Sequence, residues 1–188
     1  MRVNIEDEPG DLWVFGYGSL MWKPGFAYIE CKIATIHGFH RAPCIYSHVH
    51  RGTPDKPGLV FGLDSGGSCR GIAFRVAAEH RAATIAYLRE REQVTSVYLE
   101  RLVKAILADA RHATALTYVA DRRHPQYAGK LTPAETLRLV RQGHGVSGAN
   151  PDYIRNTRDH LTELGLVDHR LDWLVAKLKT PALQPSDA

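Results

Sequence analysis

The sequence predicts an α+β fold, because segments typical of strands come first along the chain and segments typical of helices come later. Between residues 12 and 120, most segments are rich in β-branched and aromatic residues and end at glycine or proline turns. After Pro133, apolar residues recur at helical spacing. The 188 residues are 44% hydrophobic and 23% charged, which is typical of a globular protein. We therefore expect a single domain over residues 11–180, with flexible termini at 1–10 and 181–188.

The strand pattern is strongest in the first two thirds of the chain. The predicted strands cover residues 12–17, 28–37, 43–50, 59–63, 70–76, 97–107 and 113–120. Residues 51–58 contain two prolines and two glycines and are predicted to form a loop. The turn at 64–67 (D-S-G-G) is predicted to join its two neighbouring strands into a hairpin.

Helices are predicted where apolar residues recur every three to four residues, whereas in the strand segments they recur every second residue. These segments cover residues 77–92, 134–142, 151–164 and 168–179. Gly143 is expected to end the second of these helices, because glycine is common just after a helix C-terminus.

The charge pattern argues against nucleic acid as a partner. The chain has 24 Lys and Arg against 20 Asp and Glu, a net charge of +4, and a pI near 9.0 that suits an anionic partner. The basic residues are scattered along the chain, whereas a nucleic-acid surface needs a stripe or patch. No stretch of about 18 apolar residues occurs, so no membrane span is expected.

The cysteine pattern indicates reduced thiols. Cys31, Cys44 and Cys69 form no CxxC pair, and an odd number argues against a disulfide framework. The acidic segment 1–10 lacks the basic and apolar regions of a signal peptide. We therefore expect a cytoplasmic protein.

The first segment with chemical promise is the glycine turn after the first strand, residues 15–20 (F-G-Y-G-S-L). Successive backbone N–H groups in such a turn can form a concave site for carboxylate or phosphate oxygens. Gly16 and Gly18 permit positive φ and close approach of a ligand, and Ser19 adds a hydroxyl donor. The alternative is a tight turn without a ligand. The dinucleotide fingerprint G-x-G-x-x-G is not complete, because Met21 stands where the third glycine is needed.

A carboxylate on the apolar face of a helix gives a sharper indication. At 100° per residue, Glu92 lies about 340° from Ile85 and thus on the stripe that Ile85 and Leu88 define, whereas Glu90 lies on the opposite side. Burial and the nearby helix C-terminus both raise the pKa of such a carboxyl group. Glu92 is therefore a candidate general base. Two alternatives remain: the helix ends before Glu92, or Glu92 forms a buried ion pair with Arg89 or Arg91.

No metal site is predicted. His48 and His50 share a strand face, but neither a third ligand nor a cysteine partner is evident at a suitable spacing. Surface or core-edge histidines are the favoured interpretation.

Four motifs in order resemble those of a known family. The first covers residues 14–22 (V-F-G-Y-G-S-L-M-W), and the second lies within 47–58 and includes H-R-G-T-P and P-G. The third lies within 87–98 and includes Y-L, the pair Arg91-Glu92, Val94 and Tyr98, and the fourth is 148–153 (G-A-N-P-D-Y). Together they make the chain, over about residues 14–165, similar to the ChaC family of γ-glutamylcyclotransferases.

The resemblance implies a γ-glutamylcyclotransferase-like fold, a small mixed β-barrel-like sheet flanked by helices. It also implies an enzyme that cleaves glutathione, a small-molecule substrate, to 5-oxoproline and cysteinylglycine without a metal or organic cofactor. The catalytic role falls on Glu92, the glutamate of the Arg-Glu pair, and no oligomeric state is predicted. The candidate substrate-binding residues of the turn are Phe15, Gly16, Tyr17, Gly18, Ser19 and Leu20. Apart from the resemblance, Arg41 or Arg51 is a candidate source of positive field, with plain surface charge as the alternative, and Tyr118 is a candidate residue lining the pocket.

One departure from the family bears on substrate preference. Family members often have glycines just after the catalytic glutamate, but residues 93–97 (Q-V-T-S-V) contain none. A γ-glutamyl amino acid or γ-glutamylamine therefore stays an alternative substrate. A non-catalytic glutathione-binding regulator of cation transport is the alternative from another functional class.

Overall fold

The computed structural model describes residues 5, 9–92 and 96–180. Most of the predicted flexible termini, together with residues 93–95 of the third motif, lie outside the described residues. Contacts divide the chain into two compact units. We call Met1–Ile45 with Phe61–Gly129 the barrel unit, and Tyr46–Val60 with Lys130–Ala188 the helical unit. The predicted single domain over 11–180 stays a prediction.

Five strands form a closed barrel in the order β1-β3-β2-β4-β5. They are β1 (Leu12–Gly16), β2 (Glu30–Ser47), β3 (Gly58–Val76), β4 (Tyr98–Leu107) and β5 (His112–Ala120). The pairs β1–β3, β2–β4 and β4–β5 are antiparallel, whereas β1 pairs parallel to β5 through Val14↔Leu116. The sheet is therefore mixed, and the predicted α+β class with a barrel-like sheet is confirmed.

Strand β1 is buried on both faces, which explains its continuous apolar sequence. Phe15 packs inside the barrel with Ile36, Leu63 and residues of β4 and β5. Val14, on the other face, belongs to a second cluster with Leu116 and Tyr118. A strand buried on both faces holds its C-terminal end, where the glycine turn begins, in a fixed place.

Helix α1 (Arg81–Glu92) packs against the second cluster and follows a short 3-10 turn, Ala78–His80. Ile85 and Leu88 are fully buried in that cluster. The predicted helix over 77–92 is confirmed for Arg81–Glu92, whereas Ala77 is extended and precedes the 3-10 turn. Ile5, in the predicted N-terminal arm, is buried, and its carbonyl accepts hydrogen bonds from Arg81.

The predicted hairpin at 64–67 is wrong, because β3 continues through these residues as one strand. Gly66 and Gly67 adopt φ values of +94° and +73°, which let the backbone bulge without ending the strand. The ring of His40 donates from Nδ1 to the Gly66 carbonyl at 2.9 Å and ties the bulge to the neighbouring strand β2. The predicted strands 28–37 and 43–50 are likewise one strand, β2.

The helical unit contains α2 (Pro133–Gln142), α3 (Asn150–Glu163) and α4 (His169–Lys179), with short strands β6 (His144–Gly145) and β7 (Gly148–Ala149). Thr132 and Glu135 form a capping box at the start of α2, and the Asp168 side chain caps α4. Gly143 follows the last residue of α2, as predicted. Among the helices of the described chain, none combines the length and apolar composition needed to cross a bilayer.

Candidate active site

The turn after β1 is built around a short 3-10 segment, Ser19–Met21. The Met21 N–H donates to the Gly18 carbonyl, and the Lys23 N–H donates to the Ser19 carbonyl, both at 2.9 Å. Because Met21 donates the first hydrogen bond of this segment, the N–H groups of Ser19 and Leu20 have no partner inside the described turn. We call residues 16–23 the binding turn, since these backbone donors are the ones that the sequence assigned to a carboxylate.

The two glycines of the binding turn differ in their surroundings. The expectation that they provide positive φ is wrong, since neither residue has a positive φ. A Cβ at Gly16 would lie 3.0 Å from Leu20 Cβ and 3.3 Å from Met21 N, so a side chain there would press on these neighbours. A Cβ at Gly18 would meet open space within 4 Å, so the packing of the described chain does not.

Glu92 is the last residue of α1, so the helix does not end before it. Its side chain is 18% exposed, and burial raises the pKa of its carboxyl group despite the opposing charge of Arg91. Arg91 Nε lies 3.2 Å from Glu92 Oε1, so the ion pair considered from the sequence is formed with Arg91. Glu90 is exposed, as the helical phase predicts. A partly exposed carboxyl group with a raised pKa is chemically suited to accept a proton near neutral pH.

Arg91 brings the predicted base and the binding turn together. Its Nη2 donates to the Ser19 hydroxyl at 3.0 Å, while its Nε contacts Glu92. Since both contacts are made by one planar guanidinium, Ser19 Oγ and Glu92 Oε1 lie within roughly 9 Å of each other. From the sequence, Arg91 is expected only as an alternative ion-pair partner of Glu92, and its contact with the binding turn is seen only in the structure.

Tyr118 lies on β5 and is fully buried. Its hydroxyl donates to Glu100 Oε2 at 3.3 Å, and Glu100 accepts two hydrogen bonds from Arg89, both at 3.0 Å. Burial raises the pKa of Tyr118, and the charges of Glu100 and Glu92 raise it further. Tyr118 is therefore a neutral phenol at neutral pH. Glu100 is not predicted from the sequence, and Arg89, considered there as a partner of Glu92, pairs with Glu100. A role for Tyr118 toward substrate stays a prediction.

Arg41 is buried and supports the binding turn from behind. Its Nε donates to the Tyr17 carbonyl at 2.6 Å, and its Nη2 donates to the Arg70 carbonyl at 2.8 Å. Arg41 is expected from the sequence to attract an anionic substrate, and its guanidinium donates to backbone carbonyls of the chain itself. The side chains of Phe15 and Leu20 are also packed in the two clusters, so the backbone of the turn is the part available to a ligand.

The described residues contain no group of three His, Cys, Asp or Glu side chains placed to hold a metal ion. His48 stacks on Tyr46, and His50 Nδ1 lies 3.0 Å from the Ser147 hydroxyl. The three cysteines form no disulfide, and burial raises the pKa of Cys44 to about 12, so this thiol is not a nucleophile near neutral pH.

The second and fourth motifs meet in the helical unit. Asn150 is fully buried, and its amide accepts from the Leu59 N–H at 2.7 Å and donates to the Leu59 carbonyl at 2.8 Å. Arg51 donates to the carbonyls of Ser147 and Ala149 and stacks over the Tyr153 ring at 5.3 Å. We call these contacts the Asn150 clasp. These motif residues use their polar groups on one another, which indicates a structural role.

Open clefts of about 550 and 220 Å³ are present outside the predicted site. The larger is lined by Ala134, Leu137, Arg138, Arg141 and Gln142 of α2. The smaller is lined by Gly25, Phe26, Ala27, His80, Ala83, Thr84 and Tyr87. Neither lining includes Glu92 or the binding turn.

The amino-acid sequence is similar to those of named enzymes from bacteria and animals. The glutathione-specific gamma-glutamylcyclotransferase of Escherichia coli (strain K12) is 33% identical over 172 residues, which are 92% of this chain and 74% of that protein. The Homo sapiens protein named glutathione-specific gamma-glutamylcyclotransferase 1 is 32% identical over 164 residues, 85% of this chain and 74% of its own.

A solved structure supports the fold. The yeast gamma-glutamyl cyclotransferase specific to glutathione superimposes with a TM-score of 0.80 at 25% identity, covering 91% of this chain and 96% of the yeast chain. The expected γ-glutamylcyclotransferase-like fold is thereby confirmed. The family model described as ChaC-like protein matches residues 12–181. With that match over most of its length, the chain belongs to the ChaC-like protein family.

Proposed function

We propose that this protein is a glutathione-specific γ-glutamylcyclotransferase with Glu92 as its general base. The observation that carries the proposal is a half-buried carboxyl group with a raised pKa, joined through Arg91 to the binding turn. The names of the relatives from Escherichia coli and Homo sapiens support the same reaction and substrate.

The reaction is an intramolecular amide exchange. The α-amine of the γ-glutamyl group attacks its own γ-carbonyl carbon, and the bond from that carbon to the cysteine nitrogen breaks. A protonated amine has no lone pair, so Glu92 first removes a proton from it and later returns a proton to the departing nitrogen. The products are 5-oxoproline and cysteinylglycine, and no water, metal or cofactor is consumed.

The raised pKa of Glu92 suits both proton transfers. A carboxylate with an ordinary pKa is a weak base toward an ammonium group at neutral pH, and burial strengthens it. The same group, once protonated, is an acid strong enough to protonate the leaving nitrogen. One side chain therefore acts in both steps.

The binding turn is assigned to hold the substrate folded. The N–H groups of residues 18–20 and the Ser19 hydroxyl are donors suited to the substrate α-carboxylate. Closing a five-membered ring needs little further loss of translational entropy once the chain is held in a bent shape. Backbone donors also suit the oxyanion that develops at the γ-carbonyl oxygen.

A γ-glutamyl amino acid is the second candidate substrate, because residues 93–97 lack the glycines that family members often have after the catalytic glutamate. A bulkier segment at that position changes the space for the part of the substrate beyond the γ-amide. The reaction type is the same for both candidates, since only the leaving amine differs.

The experiment measures 5-oxoproline released by the purified protein from glutathione and, separately, from γ-glutamyl-alanine, in buffer with a metal chelator. We expect 5-oxoproline and cysteinylglycine in equal amounts from glutathione, and roughly tenfold less 5-oxoproline from γ-glutamyl-alanine. Faster turnover of γ-glutamyl-alanine would favour the second candidate. No 5-oxoproline from either substrate would refute both.

We also assign the protein to the cytoplasm. Cys31, Cys44 and Cys69 form no disulfide, which is typical of a protein in a reducing compartment.

A further inference from the structure

The side chain of Arg91 connects more of the barrel unit than Ser19 and Glu92. Its Nη1 donates to the Lys23 carbonyl at 2.7 Å, to the Pro24 carbonyl at 3.2 Å and to the Tyr87 hydroxyl at 2.9 Å. Five acceptors thus surround one planar guanidinium. A guanidinium held by so many acceptors has one orientation. It therefore also restricts the positions of the groups that it contacts, Glu92 and the binding turn.

The loop that follows the binding turn is shaped to receive this group. Gly25 adopts a φ of +78°, and a Cβ at this position would overlap the Tyr87 hydroxyl. Glycine therefore lets the loop approach α1 closely enough for Tyr87 and the two carbonyls to reach Arg91. The Phe26 and Tyr87 rings pack edge to face at 6.4 Å and hold the same approach.

We infer that Arg91 is a positioning residue, which fixes Glu92 at a set distance from the binding turn and favours its ionised form. The inference rests on the proposed function for its consequence on catalysis, whereas the contacts that carry it do not. Arg91 contacts the proposed base and the binding turn, and in this assignment it acts through them and does not contact the substrate.

The electrostatic part follows from the groups that face Glu92. Burial raises the pKa of Glu92, and the guanidinium of Arg91 on the same helix opposes that rise. From β5, Tyr118 lies close enough for its pKa to be raised by the charge of Glu92, and it is neutral. Behind Tyr118, the carboxylate of Glu100 is paired with Arg89. Arg91 is therefore the cation that balances Glu92.

Two variants separate the positional and the electrostatic effects. Arg91→Gln removes the charge, and we expect the pKa of Glu92 to rise by about one pH unit. Arg91→Lys keeps a charge but lacks the planar fork, so the pKa of Glu92 should change little while the binding turn loosens. Arg123→Gln is the control, because it removes one positive charge from a side chain of the barrel unit that is 86% exposed.

Two measurements read these effects without substrate. The ¹³C shift of the Glu92 carboxyl group, identified by its loss in Glu92→Gln, gives its pKa. Hydrogen exchange at the Met21 and Lys23 amides, whose hydrogen bonds close the binding turn, reports its rigidity. We expect exchange to be roughly tenfold faster in both Arg91 variants and to keep its wild-type rate in Arg123→Gln. An unchanged Glu92 pKa in Arg91→Gln, or unchanged exchange in Arg91→Lys, would overturn the inference.

Kinetics then connect the inference to the reaction. In Arg91→Gln, the acidic limb of the pH profile should move up by about one pH unit, because the base must lose its proton. In Arg91→Lys, KM should rise roughly tenfold with the limb unmoved. If the wild-type protein releases no 5-oxoproline, the proposed function fails, while the pKa and exchange measurements still decide the role of Arg91.

Discussion

The binding turn with α1 and the Asn150 clasp both join a glycine-containing loop to a helix, yet they use their polar groups in opposite ways. In the clasp, both amide atoms of Asn150 are bonded to the backbone of Leu59, and the side chain is fully buried. At the end of α1, Glu92 keeps a partly exposed carboxyl group whose pKa is raised. Satisfied polar groups stabilise a fold, whereas a perturbed, accessible one is available for chemistry.

The difference shows that the four motifs shared with one family serve different purposes in the molecule. The first and third motifs contain the candidate chemistry, while the second and fourth contain a structural contact within the helical unit. A residue can therefore be shared with a family because it binds substrate or because the fold requires it. Substitutions in the two regions should separate these two reasons.

Removing the base should have the largest effect. Glu92→Gln keeps the shape of the side chain but cannot accept a proton, so kcat for 5-oxoproline release should fall roughly 10³-fold with no decrease in melting temperature. Glu90→Gln, two residues earlier on the exposed face of α1, is the control and should keep its activity. Near-normal turnover in Glu92→Gln would remove Glu92 from the mechanism.

Breaking the Asn150 clasp should lower the stability of the protein and leave the chemical step unchanged. Asn150→Ala leaves the buried N–H and carbonyl of Leu59 without partners, which should lower the free energy of unfolding by about 2–4 kcal/mol in urea titrations. Asp152→Ala, whose side chain is 61% exposed, should cost less than about 0.5 kcal/mol. If Asn150→Ala were as stable as the wild type, the structural role of the fourth motif would be wrong.

The two glycines of the binding turn test the comparison within a single motif. Gly18→Ala places a methyl group in open space, so it should leave stability unchanged while raising KM roughly tenfold by crowding the substrate. Gly16→Ala presses against Leu20 and should lower the free energy of unfolding by about 1–2 kcal/mol. Equal KM values for Gly18→Ala and the wild type would exclude the turn as the binding element.

The smallest effect is the pH dependence of stability. The folded-state pKa of Glu92 lies above its unfolded value of 4.5, so the native state binds this proton more tightly. That contribution is fully present below pH 4.5 and is lost as the pH rises through the folded-state pKa. Glu92→Gln lacks this titration, so its stability relative to the wild type should increase with pH over that interval. If the relative stability of Glu92→Gln increased with falling pH instead, the pKa of Glu92 would be lowered by folding and not raised.

Much of the fold follows from local patterns. The ends of α2 and α4 are predictable because Gly143, Pro133 and Asp168 act on the backbone within a few residues of themselves. The continuity of β2 is not predictable in this way. Arg41 interrupts its apolar pattern, and only its hydrogen bonds to the Tyr17 and Arg70 carbonyls show why a charged residue stands inside a strand.

The candidate site likewise contains residues that a local pattern predicts and residues that it does not. Glu92 is found from the sequence because Ile85 and Leu88 lie on the same helical face, and that face can be counted. Glu100 is not found, because its partners Arg89 and Tyr118 are 11 and 18 residues away on other elements. No local pattern encodes a contact between separate elements.

The amino-acid sequence by itself determined the α+β class, the family and the identity of the predicted base, because propensity, helical phase and motif order are properties of neighbouring residues. Tertiary structure decided which polar groups are used within the protein and which stay available. That distinction depends on hydrogen bonds such as those of Arg91 to Ser19 and Lys23 of the binding turn, which stand 72 and 68 residues away along the chain. Only folding brings such groups within a few ångströms and buries Glu92, and that burial raises the pKa of its carboxyl group while Arg91 opposes the rise.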